Sequence, residues 1–260
     1  MIGYQIASGF RLRNANGQGA MQLTPEGRSM GAIYKFMPDG SKKNAWKCMA
    51  DPDHLVDGGI KNRAIANNSL IRNTGVVTTG TISGHPSITM ETIIRPYATD
   101  FDFNPDAWSS FFVFNTDLTE AVGGRELIRP LIVNTPGYAP RITIRTGGQF
   151  AVYDSNGNVR LEAAGVIQNN VTILMMATFS TRNGLKIFAN GHQVAINSAD
   201  KNPLDNQYHG GQFEMFRNSP TTNTQLGICG VLDIDLGWPE HAGYRRAIER
   251  FLMDKYGITA

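Results

Sequence analysis

The residues best placed to do chemistry are acids near the C-terminal end, where Asp233 and Asp235 stand two apart, Glu240 follows and Trp238 lies between them. On a β-strand that spacing puts both aspartates on one face. Two facing carboxylates can cleave a glycosidic bond, one protonating the leaving oxygen while the other attacks or activates water. Paired acids on an edge strand more often face solvent, and no third group converges on these, so no catalytic residue is assigned. Gly27-Arg28-Ser29-Met30-Gly31 carries the letters of a nucleophile elbow, which needs a strand before the serine and a helix after it. Thr24-Pro25-Glu26 precedes the serine and a strand-like Ala32-Ile33-Tyr34 follows, so the match reads as coincidence.

Metal chemistry has little to work with. The five histidines, His54, His85, His192, His209 and His241, include no i, i+4 pair and no His-Glu-x-x-His, which leaves zinc without a ligand set. Asp51, Asp53 and Asp57, and again Asp100, Asp102 and Asp106, could offer oxygens to Ca²⁺, yet neither run has EF-hand spacing and aspartate-rich turns account for both. No cofactor is expected, with Ca²⁺ the one candidate. Aromatic rings in loops suit sugar binding, because the apolar face of a pyranose stacks on them. Tyr138 and Tyr208, set among Gly, Pro, Asn and His, are candidate ligand-binding residues. Trp238 is a third, although its place between a strand and a helix also suits core packing, as Trp108 at the head of an apolar run does.

The elements that would position these residues are strands. In 260 residues, 41% hydrophobic and 18% charged, the 28 glycines and a surplus of Asn and Thr favour strands joined by tight turns. The 24 basic and 22 acidic residues are well mixed and sum to +2, so no basic stripe offers itself to nucleic acid. The start, Met1-Ile2-Gly3-Tyr4-Gln5, lacks a basic region followed by an apolar one, and nowhere do about 18 apolar residues run uncharged. Neither a signal peptide nor a membrane span is expected. Cys48 and Cys229 are too few and too far apart for a disulfide framework. Both are expected reduced and buried, a bridge between them being the alternative in an oxidising medium.

Period-2 alternation predicts strands at Ser87–Pro96, Trp108–Phe114, Glu126–Val133, Arg141–Arg145 and Gln149–Tyr153. Three turns predict antiparallel neighbours, because Gly and Asn adopt the positive φ that short hairpins need. They are Thr146-Gly147-Gly148, Ser155-Asn156-Gly157-Asn158 leading into Val159–Ala163, and Asn190-Gly191 between Leu185–Ala189 and His192–Ile196. The apolar run Val171–Phe179 reads as a central strand buried on both faces, and Thr224–Leu236 as another long strand. Tyr244, Ala247, Ile248, Phe251, Leu252 and Tyr256 then recur at helical spacing from Glu240 onward, with Arg245, Arg246, Glu249, Arg250 and Lys255 opposite and Gly257 as the stop. Residues 1–60, broken by glycines, read as an N-terminal arm or extra β layer, and residues 61–260 as one sandwich.

Four features in order resemble the concanavalin A-like lectin/glucanase superfamily, in particular the laminin-G-like jelly rolls of bacteriophage virion proteins. They are the buried strand Val171–Ser180, the hairpin from Gly184 through Asn190-Gly191 to Val194, the strand from Leu226-Gly227-Ile228 to Leu236, and the closing helix Ile248–Ile258. Ser87–Pro96 is similar to an early strand of the same modules, so the resemblance covers roughly residues 60–260. It implies an all-β fold, an antiparallel jelly-roll β-sandwich with a C-terminal amphipathic helix and an N-terminal β-rich arm. The Glu-x-Asp-x-x-Glu signature of laminarinase-type members does not occur, which points away from an enzyme. The resemblance implies a non-enzymatic virion structural protein of a bacteriophage, made in the host cytoplasm. Its expected partners are other virion proteins, further copies of itself as a homo-oligomer and a host surface glycan. A glycan-binding lectin or adhesin is the first alternative and a polysaccharide hydrolase or lyase the second.

Overall fold

The computed structural model describes residues 4–6, 10–12, 21–22, 45–56, 59–64, 69–71, 78–90, 97–99, 104–119, 125–130, 140–154, 157–203, 213–217 and 224–260. The strands are β1 (Tyr4–Ile6), β2 (Phe10–Leu12), β3 (Met21–Gln22), β4 (Trp46–Val56), β5 (Gly59–Asn62), β6 (Ser69–Ile71), β7 (Thr79–Ile82), β8 (His85–Met90), β9 (Tyr97–Thr99) and β10 (Ala107–Thr116). They continue with β11 (Arg125–Pro130), β12 (Arg141–Arg145), β13 (Gln149–Tyr153), β14 (Val159–Ala163), β15 (Ile173–Ser180), β16 (Gly184–Ala189), β17 (His192–Asn197), β18 (Phe213–Arg217) and β19 (Thr224–Leu232). Helix α1 is Ala242–Tyr256, entered through a single 3₁₀ turn, Pro239–His241.

Among the described strands β1–β3 form a small sheet of their own, and the others form one antiparallel ribbon in the order β14-β13-β12-β11-β18-β9-β6-β5-β4-β19-β10-β15-β16-β17, with β8 and β7 beside β19. The ribbon doubles over, so that β14 at one end lies against β16 and β17 at the other. Side chains from both runs then share one core. Trp108, Phe112 and Phe114 of β10, Met175, Ala177 and Phe179 of β15, and Leu185 and Ile187 of β16 meet Leu127, Ile128, Ile142, Ile144, Phe150 and Val152 of β11–β13. This is an antiparallel β-sandwich.

Strand β15 is buried on both faces, as the unbroken apolar run predicts, although the run's first two residues precede the strand and Val171 is 47% exposed. All eight residues of Ile173–Ser180 are buried, the odd positions from 173 to 179 facing the opposing sheet and Leu174 and Met176 facing α1. Helix α1 covers that second face with Tyr244, Ile248, Phe251, Leu252 and Tyr256. Each side chain of this size contributes on the order of 2 kcal/mol when removed from water. Both ends of the helix are also fastened by tyrosines. Trp46 Nε1 donates to the Tyr244 hydroxyl at 2.5 Å, and the Ile228 N–H donates to the Tyr256 hydroxyl at 2.9 Å. Gly257, at φ 64°, ends the helix as expected, with the Ile258 N–H returning to the Met253 carbonyl at 2.9 Å.

Two of the expected turns hold in full and the third in its described part, Ser155 and Asn156 lying outside the described residues. Gly147 and Gly148 (φ 77° and 74°), Gly157 (82°), and Asn190 and Gly191 (46° and 84°) occupy the left-handed region and join antiparallel neighbours. Two readings need correction. The last strand ends at Leu232 rather than Leu236, and residues 233–238 form bends and turns instead. Glu249, expected on the solvent side of the helix, is buried at 4% exposure. Trp46–Val56 lies on the arm side of residue 60, yet it pairs with β19 and brings Cys48 and Ala50 into the sandwich core. The half of Ser87–Pro96 beyond Met90, residues 131–133 and the Ser29 motif lie outside the described residues.

Cys48 and Cys229 are free and fully buried on adjacent strands, Cys229 opposite Ala50 and Cys48 opposite Val231. Burial pushes the Cys48 thiol up to about 12 and raises that of Cys229 as well. Both therefore stay protonated and unreactive.

Candidate functional site

Of the three candidate ligand-binding residues, Tyr138 and Tyr208 lie outside the described residues. Trp238 sits in the turns between β19 and α1, half-buried. Its ring meets His241 edge-on at 5.4 Å between centroids, and the Arg182 guanidinium lies 4.6 Å above it. One face of the indole is thus already covered by a cation.

The two aspartates beside it are fully engaged, while Glu240 is exposed in the 3₁₀ turn. Asp235 is 2% exposed. One of its oxygens accepts from Ser180 Oγ at 2.6 Å and Asn183 Nδ2 at 3.0 Å, the other from the Gly237 N–H at 2.8 Å. Asp233 pairs with Lys47 at 2.8 Å and accepts from the Asn104 N–H at 3.0 Å. Because the strand stops at Leu232, the two aspartates do not share a strand face. Asp235 fastens the turn to the end of β15, while Asp233 ties it to Lys47 and Asn104. The geometry is structural, and these two carboxylates are turned to separate partners.

The calcium candidates are similarly occupied where they are described. Asp51 is buried, ion-paired with Arg63, and accepts from the Asp53 N–H at 3.0 Å; Asp53 accepts from Lys255 Nζ at 2.5 Å. Asp106 is exposed, and Asp57, Asp100 and Asp102 lie outside the described residues. Among the described residues no three His, Cys, Asp or Glu side chains gather as a metal would require.

A different surface combines an aromatic ring with donors and acceptors. In β11–β14 the residues Ile142, Ile144, Phe150 and Val152 point into the core, so their alternates share the outer face. The register sets Glu126 opposite Thr143, Thr143 opposite Ala151, Ala151 opposite Glu162, and Arg141 opposite Tyr153. Arg141 Nη2 donates to Glu126 Oε1 at 2.6 Å, and Arg145 Nη1 to Glu162 Oε2 at 3.4 Å. Both guanidiniums lie over the Tyr153 ring, at 5.4 and 6.0 Å from its centroid.

Between them on β12, Thr143 is 2% exposed, and its hydroxyl has no hydrogen-bond partner. A buried hydroxyl left unpaired costs roughly 1–3 kcal/mol, and an ordered water or a ligand group can supply its partner. The Arg145 side chain is 44% exposed and its pair with Glu162 is long, so that pair contributes little and can be exchanged for contacts to a ligand. The face is charge-balanced, with two arginines and two glutamates. It offers a ring, forked donors, carboxylate acceptors and a free hydroxyl, which is the equipment for holding a polyhydroxyl compound. The alternation Arg-Ile-Thr-Ile-Arg placed these residues on one face in the sequence. What the sequence did not show was that Tyr153 lies beside them.

No protein-family model matches the sequence, and no curated protein matches it at the sequence level. Solved structures do match in shape. The binding domain of Paraclostridial Mosquitocidal Protein 1 superposes with a TM-score of 0.59 at 11% identity, over 80% of this chain and 52% of that one. A botulinum neurotoxin serotype D ligand binding domain in complex with N-acetylneuraminic acid gives 0.58 at 12% identity, again over 80% and 52%. A botulinum neurotoxin type C structure, described by its cell entry through two ganglioside molecules, gives 0.56 at 10% over the same shares.

The likeness is one of fold.

This chain has a β-sandwich fold shared with those toxin binding domains and spans about half their length. The domains it matches are named for binding and not for catalysis.

Proposed function

We propose that this chain is a non-enzymatic, lectin-like attachment module that takes a glycan on the outer face of β11–β14. The observation that carries the proposal is the Tyr153 ring flanked by Arg141 and Arg145, with the unpartnered Thr143 hydroxyl between those arginines on β12. Two further facts support it. The described aspartates that could have served catalysis are tied into the framework, and the structural neighbours include a ligand binding domain holding N-acetylneuraminic acid. That sugar belongs to a domain of which this chain matches about half, so the position of the glycan here rests on Tyr153 and not on the neighbour.

The test is a glycan panel containing neutral and sialylated sugars, followed by titration of the best ligand against Tyr153→Ala. Loss of one stacking partner is expected to weaken binding roughly tenfold, about 1.4 kcal/mol, with unchanged thermal stability. An absence of binding across the panel, or equal affinity for the variant, overturns the proposal.

The resemblance of the strand, hairpin and helix motifs to laminin-G-like modules of phage particles supports a bacteriophage virion as the carrier. On this reading the separately paired β1–β3 is the segment used for assembly. Mass spectrometry of purified particles from an infected host decides this. The chain is expected among the virion proteins, and its absence from them removes the virion reading without touching the glycan one.

A further inference from the structure

Among the described strands β17 ends the ribbon and pairs with β16 alone. An edge of this kind presents unpaired backbone groups to solvent, and proteins ordinarily guard it with charges, proline or a covering segment. His192-Gln-Val-Ala-Ile-Asn197 contains no Lys, Arg, Asp, Glu or Pro. The charges around it are committed elsewhere. Arg160 is held by Asp200 at 2.6 and 2.7 Å, and Lys186 donates to the Gly237 carbonyl at 2.8 Å.

The edge is also apolar. Val194 and Ile196 are 40% and 50% exposed. Asn197 Nδ2 donates to the Arg160 carbonyl at 3.3 Å, so Asn197 and the core-packed Ala195 are turned to the opposing sheet while Val194 and Ile196 stand on the outer side. Two of the five large apolar side chains most open to solvent among the described residues therefore stand together on this one strand, where scattered positions would have needed no explanation.

We propose that this edge receives a second copy of the same chain, β17 against β17, about a two-fold axis through Ala195. The occupant follows from the sequence pattern. Gln193-Val194-Ala195-Ile196-Asn197 reads alike in both directions, amide, β-branched, Ala, β-branched, amide. Antiparallel pairing about Ala195 sets Val194 against the partner copy's equivalent of Ile196, Gln193 against that of Asn197, and Ala195 against its own equivalent. A two-fold interface requires this kind of self-complementarity.

Val194 has no counterpart on β16, because the register shifts between Ile187 and Phe188. The bulge increases local twist, so the interface is short and carried by the side chains of Val194 and Ile196 together with the backbone. This inference is independent of the glycan reading, since β17 is not part of the β11–β14 face.

Light scattering across a concentration series tests it. The wild type is expected to approach twice 28.5 kDa with rising concentration, and Ile196→Lys to remain at 28.5 kDa with an unchanged melting temperature. Val171→Lys, at an exposed apolar position away from the edge, is the control and is expected to associate like the wild type. A wild type that stays monomeric throughout, or an Ile196→Lys variant that still doubles its mass, overturns the proposal.

Discussion

At the scale of single residues, Asp235 shows how the same chemistry can be read in two ways. Its spacing from Asp233 and its nearness to Trp238 were legible in the sequence, and they suggested a carboxylate pair. The hydrogen-bond donors that decide its role come from residues 180, 183 and 237, which local spacing cannot bring together. Asp235→Ala is expected to strand three donors in a nearly dry site and to destabilise the fold by roughly 3 kcal/mol or more. Glycan binding by the surviving folded protein should be unaltered. Denaturant unfolding beside a binding titration checks both halves. A variant that stays stable but loses binding would return Asp235 to the functional site. Tyr138 and Tyr208 were chosen from their loop-like neighbours. Tyr153 was passed over, although the same alternation that predicted β13 as Gln149–Tyr153 already set it at a strand end beside a turn.

Among the elements, the helix was readable because amphipathic spacing and a terminal glycine are local signals, and the structure places α1 where they pointed. How it docks was not readable, since that depends on bare backbone in a distant strand. A Cβ on Gly227 would lie 2.7 Å from the Tyr256 hydroxyl and ring, so only glycine admits the tyrosine that closes the helix onto β19. Gly227→Ala is expected to cost roughly 1–3 kcal/mol through overpacking. Tyr256→Phe, which leaves the Ile228 N–H buried without its acceptor, should cost about 1 kcal/mol and lower the melting temperature by about 3 °C.

Glu249 gives the helix a pH signature. Burial raises its carboxyl above the ordinary glutamate value, against the opposing pull of Arg245 at 2.9 Å, Arg246 and His192. A raised folded-state value favours the protonated acid. Its contribution to stability is therefore fully present below the unfolded value, about 4.3, and is lost as pH rises through the folded one. Glu249→Gln is expected to melt above the wild type at pH 7 and to converge with it near pH 4. Melting curves across that range check the sign, and a Gln variant less stable than the wild type at neutral pH would show that the Arg245 pair outweighs burial.

For the whole molecule, the sandwich class was legible because alternation, hairpin turns and the doubly buried run at β15 all argue for stacked antiparallel sheets. The path of the ribbon was not, since pairings such as β4 with β19 join segments from opposite ends of the chain. The closure of that ribbon depends on a contact no local pattern announced. Arg160 of β14 lies 4.9 Å over the Phe179 ring of β15, forks onto both oxygens of Asp200 at 2.7 and 2.6 Å, and donates to the Asn202 carbonyl at 2.9 Å. It thereby ties one end of the ribbon to the segment after β17 at the other. The two side chains are only 11% and 9% exposed, so salt should screen their pairing weakly. Asp200→Ala leaves a largely desolvated guanidinium unpaired, and a loss of about 3 kcal/mol is expected, little changed between low and high salt. Replacing both residues together, Arg160→Met with Asp200→Leu, removes the stranded charge along with the pair and should recover most of that loss. If the single and double variants were equally unstable, the contact would matter for its packing on Phe179 and not for its charge. If neither were unstable, the ribbon would hold its two ends together through the shared core alone.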